Sequence, residues 1–368
     1  MSKAMVDLTG GNDLGMYANS IITNNGQLNF GMLRPFIAED GRPYITTYKG
    51  SGDPTKDENW QTTQIGTNAL LRRDEWKQLD QVLIEVGRYK LGGIQDLVDN
   101  NLIYNLNNAM GTTVLEWHDV SDGMEAVVSM DGVTRSRTDK VSFGHNYLPI
   151  PIIHSDYEIN ARDLAVSRNM GNGIDTLSAE RATRRVMEKL ENMLFTNTTY
   201  SFGEKDARGR NTIYSYLNFP DREQVTLSTA WDNAGKTPAQ ILADVVAMKN
   251  KAIAALRYGP WMLYIPTAYG TILDNDYSVA GGSLLSTRER VMKIDGIKGI
   301  KVVDTLPANN VLLVQMTTDC VRLVRGMGLQ NVEWEAEGKM ITKYKVMTIQ
   351  VPQIRSDGNG KSGIVHLA

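Results

Sequence analysis

The chain has 368 residues, 42% of them hydrophobic and 22% charged, with a formal net charge of -3. That length suits two domains, or one domain with large insertions, and can bury a sizeable core. The near balance of charge argues against a tight grip on nucleic acid through phosphates, and it leaves little like-charge repulsion to oppose dense self-association.

The first 69 residues are broken by Gly10, Gly11, Gly15, Gly26, Gly31, Gly41, Gly50, Gly52 and Gly66, with Asn and Thr between them. Such a segment buries little by itself and is expected to lie against something larger, such as a neighbouring subunit. Within it, PFIAEDGRPYITTY (35–48) carries a turn at Asp40-Gly41 between short apolar runs, the pattern of a hairpin. The first strong helix is RRDEWKQLDQVLIEVGRYKL (72–91). Trp76, Leu79, Leu83, Val86 and Lys90 recur at helical spacing, and Gly92-Gly93 is expected to end it.

From 112 to 147 the period drops to two. Leu115 and Trp117 alternate with Val114 and Glu116, and Asp122-Gly123 and Asp131-Gly132 signal turns. Between Val133 and Lys140 there is almost nothing apolar. The reading is a long solvated β-hairpin that projects from the body. YLPIPIIHSDYEIN (147–160) reads as an edge strand because of its two prolines. A long helix follows over 174–197, with Ala179, Ala182, Val186, Leu190 and Met193 on one side and Arg181, Arg184, Arg185, Glu188 and Lys189 on the other.

Residues 200–236 form a loop-rich insertion. Thr237-Pro238-Ala239-Gln240 then opens a helix with a capping box, whose buried stripe is Ile241, Val245, Met248, Ala252 and Leu256. WMLYIP (261–266) is a buried strand, TAYGTILDND a short helix, and SVAGGSLLS a loop. Short strands follow in GIKVV, NVLLVQM, CVRLV and NVEWEA. The chain closes with a long strand, KMITKYKVMTIQVPQI, expected to pair through the turn SDGNGKSG with the last strand, IVHLA.

Signatures of chemistry are sparse. His118, His145, His154 and His366 show no metal-ligand spacing along the chain, and no nucleophile elbow occurs. Gly360-Lys361-Ser362 looks like the end of a phosphate-binding loop. The glycine required five positions earlier is Arg355, and too few residues follow for the helix such a loop needs. Glu333, Glu335 and Glu337 share one face of a strand and read as solvated. Arg181, Arg184, Arg185 and Lys189 read first as the exposed side of an amphipathic helix, and second as a weak phosphate-facing stripe diluted by Glu180, Glu188 and Glu191. Cys320, the single cysteine, sits among apolar residues and reads as a buried hydrophobe in a reducing compartment. Neither a signal peptide in MSKAMVDLTGGND nor a membrane-length apolar run is found. No catalytic, cofactor-binding or metal-binding residue is assigned from sequence.

The order of parts is more specific than any one of them. TNALLRRDEWKQLDQVLIEVGRYKL, the run from LPIPIIHSDYEIN through NMGNGIDTLSAERATRRVMEKLENMLF, WMLYIPTAYGTILDNDY, and MITKYKVMTIQVPQI with IVHLA together resemble the tailed-phage major capsid proteins of the Hong Kong 97 type, whose α+β fold is shared with encapsulin shells. The resemblance covers residues 69–368. It implies an N-terminal arm (1–69), a first helix and lead-in (70–112), an E-loop hairpin (113–147), a P-domain with its spine helix (148–199), an A-domain (200–325) and return strands completing the P-domain (326–368). It further implies a structural subunit, not an enzyme, that assembles with itself as hexamers and pentamers into an icosahedral shell. Its partners would be a separate scaffolding protein, a portal, a decoration protein in some systems, and packaged double-stranded DNA held by weak non-specific contact, with no membrane. The location implied is the virion capsid, assembled in the host bacterial cytoplasm. Two other readings stay open at this stage: an encapsulin-type compartment around cargo enzyme, and a soluble α/β enzyme with an unrecognised site.

Overall fold

The computed structural model describes residues 33–48, 60–65, 70–90, 92–120, 130, 143–170, 176–196, 199–203, 211–277, 285–337 and 340–368. Most of the N-terminal segment, residues 121–129 and 131–142 of the expected 113–147 hairpin, and residues 278–284 of SVAGGSLLS lie outside the described residues.

The first described strands, β1 (Phe36–Ile37), β2 (Pro43–Tyr48) and β3 (Trp60–Gln64), make a small antiparallel sheet. Gly41 turns between the first two at φ 73, a conformation that favours glycine. The helix expected from Trp76 and its neighbours is α1 (Arg73–Lys90). Gly92-Gly93 does not simply end it: these glycines begin a second helix, α2 (Gly92–Asp99). The physical reason is close approach. A Cβ on Gly93 would lie 2.4 Å from the Phe195 ring, so only glycine lets this helix start against its neighbour.

Next come β4 (Ile103–Asn105), the hairpin strands β5 (Val114–Val120) and β6 (Phe143–Pro149), and β7 (Ile153–Asn160). The helices α3 (Ala161–Asn169) and α4 (Leu177–Phe195) follow. One side of α4 is fully covered, by Ala179, Val186, Leu190 and Leu194 among others, while Arg181, Arg184, Arg185 and Lys189 face outward as expected. After the short strands β8 (Tyr200–Ser201), β9 (Thr212–Ile213) and β10 (Glu223–Val225) comes α5 (Pro238–Ala254). Thr237 and Gln240 close its capping box reciprocally, with Pro238 in the first turn. Then follow β11 (Trp261–Pro266), α6 (Thr267–Leu273), α7 (Thr287–Met292), β12 (Ile297–Val303), β13 (Val311–Gln315), β14 (Val321–Glu337), β15 (Ile341–Ile354) and β16 (Ile364–Leu367).

Two sheets organise these elements. The order β4-β14-β15-β7 builds one, with β7 at its edge as the prolines suggested. CVRLV and NVEWEA prove to be one long bulged strand, β14, paired along its length with β15. The order β10-β16-β13-β11-β12 builds the other, with parallel and antiparallel neighbours. Its central strands are buried on both faces. Leu263, Ile265 and Leu313 pack with α5, α6 and α7, while Met262, Tyr264 and Leu312 share a core with α2 and α4. Two-sided burial explains why WMLYIP reads as a continuous apolar run.

The expected pairing of the last two strands is corrected. β16 does not return along β15 to complete the same sheet; it inserts between β10 and β13. Both edges of β15 are already occupied by β14 and β7, so no edge is free for it there. The 326–368 segment is therefore divided between the sheets, and β14 crosses the 325/326 boundary unbroken.

The contact at Gly93 makes a direct prediction. Phe195 is fully buried against Tyr216 and Tyr264 and cannot swing aside. Gly93→Ala should lower unfolding free energy by about 1–3 kcal/mol, the cost of overpacking a close-packed core. Urea denaturation of both proteins measures it; equal midpoints would refute the contact.

Candidate assembly surfaces

The β5–β6 hairpin presents an exposed face. Its seven antiparallel pairs run from Val114↔Pro149 to Val120↔Phe143. Because side chains alternate, Leu115 and Trp117 fall on one face with Leu148, and pack against the core around Ile213, Val324 and Ile349. Glu116, His118 and His145 fall on the other face and are exposed. One face thus fixes the hairpin to the body and the other is presented outward. Met130, in the chain joining the two strands, is fully exposed. An apolar side chain held in water is what a contact with another molecule would cover.

Beside the root of the hairpin, Pro151, Ile152, Ile153, Met193, Tyr200 and Ile213 line a largely apolar cavity of about 280 Å³ next to α4. Ile152 and Tyr200 on its lining are substantially exposed. The basic side of α4 runs alongside, with Arg185 paired to Glu188 at 3.0 Å. The stripe therefore offers a modest, partly neutralised positive field.

A buried polar cluster ties α2 and α4 to the β10-β16-β13-β11-β12 sheet. Asp96 of α2 is salt-bridged to Lys301 of β12 and accepts a 2.9 Å hydrogen bond from the Tyr264 hydroxyl of β11. Burial pushes the Asp96 carboxyl up, against the opposing pull of Lys301 and Tyr264. Glu191 of α4 accepts from the backbone N–H of Gly93 at 2.8 Å and of Ile94 at 3.4 Å, capping the start of α2. Burial raises its carboxyl to about 7 in spite of those bonds. Sequence reasoning treated Glu191 only as a charge diluting the α4 stripe. Its spacing within the helix, four positions after Met187 and four before Phe195, places it on the covered side.

The remaining sequence candidates resolve individually. Gly360-Lys361-Ser362 forms a turn, with Gly360 at φ 72 and the Lys361 N–H donating to Asp357; a strand follows, not a helix. Cys320 is fully buried, and burial raises its thiol to about 11. The triad of alternating glutamates is corrected at Glu333. A bulge between Glu333 and Glu335 breaks the alternation, and Glu333 is part-buried with its carboxyl raised by burial to about 7. The side chains of Glu335 and Glu337 lie outside the description. His366 is mostly buried and bonded to Asn310 at 2.7 Å, and burial lowers it to about 4. The structure brings Glu116, His118 and His145 together, which spacing along the chain did not indicate. No helix among the described residues is long and apolar enough to cross a membrane.

This arrangement is a known one: the chain has the α+β fold of tailed-phage major capsid proteins of the Hong Kong 97 type. A virus-like particle from Pyrococcus furiosus aligns with a TM-score of 0.55 and 19% identity, over 80% of this chain and 99% of that one. The capsid of Myoviridae phage XM1 aligns with a TM-score of 0.55 and 10% identity, over 75% and 91%. The capsid of a native GTA particle aligns with a TM-score of 0.51 and 11% identity, over 75% and 90%. At these identities the likeness is one of fold. By sequence, the model of a family of unknown function, DUF6260, matches residues 65–367, and the chain belongs to that family. No curated protein matches by sequence.

Proposed function

We propose that this chain is a shell-building subunit, the major capsid protein of a tailed phage, assembling with itself into an icosahedral container for double-stranded DNA. The carrying observation is the likeness of fold to two phage-type capsids and a virus-like particle across three quarters or more of the chain. Closed shells need repeated heterologous contacts that curve and close. In this reading the 113–147 hairpin is the E-loop, lying over a neighbour. α4 is the spine helix of a P-domain that includes the β4-β14-β15-β7 sheet. The β10-β16-β13-β11-β12 sheet with α5 to α7 is the A-domain, and the loop around 278–286 meets its copies at the symmetry axes. The N-terminal residues serve as an arm, assembly uses a separate scaffolding protein and a portal, and the site of assembly is the host cytoplasm. DNA contact is weak and salt-sensitive, which a net charge of -3 and the diluted α4 stripe both favour.

A second reading has one observation in its favour. Nearly the whole of the Pyrococcus furiosus particle subunit aligns, at the highest identity of the three. In that reading the shell encloses protein cargo instead of a genome. One experiment separates the readings: the full chain is expressed alone and with its neighbouring genes, and particles are examined by light scattering, negative-stain microscopy and absorbance at 260 and 280 nm. Closed shells that fill with DNA when the packaging genes are present are expected. Closed shells carrying protein cargo and no DNA would select the second reading, and a monomer or dimer under every condition would overturn both.

A further inference from the structure

We propose that Glu116, His118 and His145 form a binding site for a divalent transition metal of the zinc class on the outward face of the β5–β6 hairpin. One ligand atom from each lies within 4.8 Å of the others. The arrangement follows from the strand geometry. His118 and His145 are direct cross-strand partners, where Cβ atoms stand about 5 Å apart. Glu116 precedes His118 by two positions, so it shares that face, and it reaches diagonally to His145, whose Nδ1 lies 2.8 Å from the carboxylate. The two imidazoles meet edge to face, with ring centroids 4.6 Å apart. Each ring therefore needs only a small rotation to aim a nitrogen at a shared point.

The donor set suits the metal. Two imidazole nitrogens are borderline donors, and with one hard carboxylate oxygen beside them they favour zinc, cobalt, nickel or copper over magnesium or calcium. All three are exposed, so the remaining coordination position faces solvent and stays open to water or to a group from outside the subunit. The backbone beneath is held in place, since Trp117, between Glu116 and His118, packs the opposite face of the same strand into the core. A bound ion would bridge β5 and β6 two pairs from the Val120↔Phe143 end of their register and brace the two strands there. The site does not depend on whether the subunit builds a shell.

The test uses the full chain, freed of metal with a chelator and titrated with zinc by calorimetry, then with cobalt by visible absorption. About one zinc per chain is expected, with cobalt giving the ligand-field bands of a low-coordinate nitrogen–oxygen site. His118→Ala and His145→Ala should each weaken zinc binding by more than about tenfold, because changes even in the outer partners of metal ligands cost that much. Glu116→Gln should weaken it less, and His154→Ala, on β7, should leave it unchanged. Circular dichroism melts confirm that these exposed substitutions leave the subunit folded. No zinc bound by the unaltered chain, or equal binding by the His118→Ala/His145→Ala double variant, would overturn the site.

Discussion

Deleting residues 121–142 and joining Val120 to Phe143 through an Asn-Gly turn should give a stable subunit that no longer closes into shells. The deletion spares every pair of the β5–β6 register, from Val114↔Pro149 to Val120↔Phe143. It also spares the face that holds the hairpin to the body, where Leu115, Trp117 and Leu148 meet Ile349 and Val351. A two-residue Asn-Gly turn matches the twist of an antiparallel pair, so the shortened hairpin has a favourable closure. The unfolding midpoint of the subunit should therefore change little. What the deletion takes away is residues 121–142, among them the fully exposed Met130. If this arm lies over a neighbour, each of the repeated contacts around a shell loses the same area at once, and a small deficit per contact multiplies over the particle. Sedimentation velocity and negative-stain microscopy, with scaffold supplied, should find free subunits or small oligomers in place of closed shells. Shells of unaltered size and yield would remove the hairpin from the assembly mechanism.

The parts of this fold that were legible in the sequence are those whose signal is local. Helix α5 was visible because a capping box and a proline mark its start and an apolar stripe of Ile241, Val245, Met248 and Ala252 marks its covered face; Leu256, expected to continue that stripe, falls beyond the last turn at φ 60 and is exposed. The β5–β6 hairpin was visible because its alternation reflects one anchored and one exposed face. What stayed hidden depends on which edge a strand finds. Ile364–Leu367 carries a strand signal, but nothing local says that β15 has both edges filled, so its partner was misassigned. The same limit applies to the surfaces. Glu116 and His145 are 29 positions apart and meet only through the hairpin register, so spacing rules for metal ligands pass over them. Gly92-Gly93 read as a stop because glycines so often follow helices. The demand for a hydrogen at Gly93 comes from Phe195, 102 positions on, and becomes visible only when the helices are packed.

The second large effect is expected at the cluster that ties α2 to β11 and β12. Lys301→Met should destabilise the subunit by about 3 kcal/mol at neutral pH, because removing one partner strands the other charge in a buried place. Asp96 is 3% exposed and would keep only its bond from Tyr264. Asp96→Asn should cost only about 1 kcal/mol, since the amide oxygen can still accept from Tyr264 and the Lys301 amine, 38% exposed, can turn to water. The two substitutions are therefore unequal although they break the same pair, and the double variant should recover part of the Lys301→Met loss. The pH dependence has a definite sign. Burial already holds the Asp96 carboxyl above its usual value, so the folded state binds its proton more tightly than the unfolded chain does. Stability from such a group is present at low pH and is lost as pH rises through the folded value. Loss of Lys301 raises that value further, so the Lys301→Met deficit should shrink between pH 7.5 and pH 4.5. Glu191, raised to about 7, also feels the lowering pull of Lys301, so losing Lys301 raises it further and shifts the deficit in the same direction. Urea denaturation of the four proteins at both pH values measures all of this. A Lys301→Met deficit that is equal at the two pH values, or no larger than that of Asp96→Asn, would mean that the cluster is hydrated and does not tie α2 to the sheet.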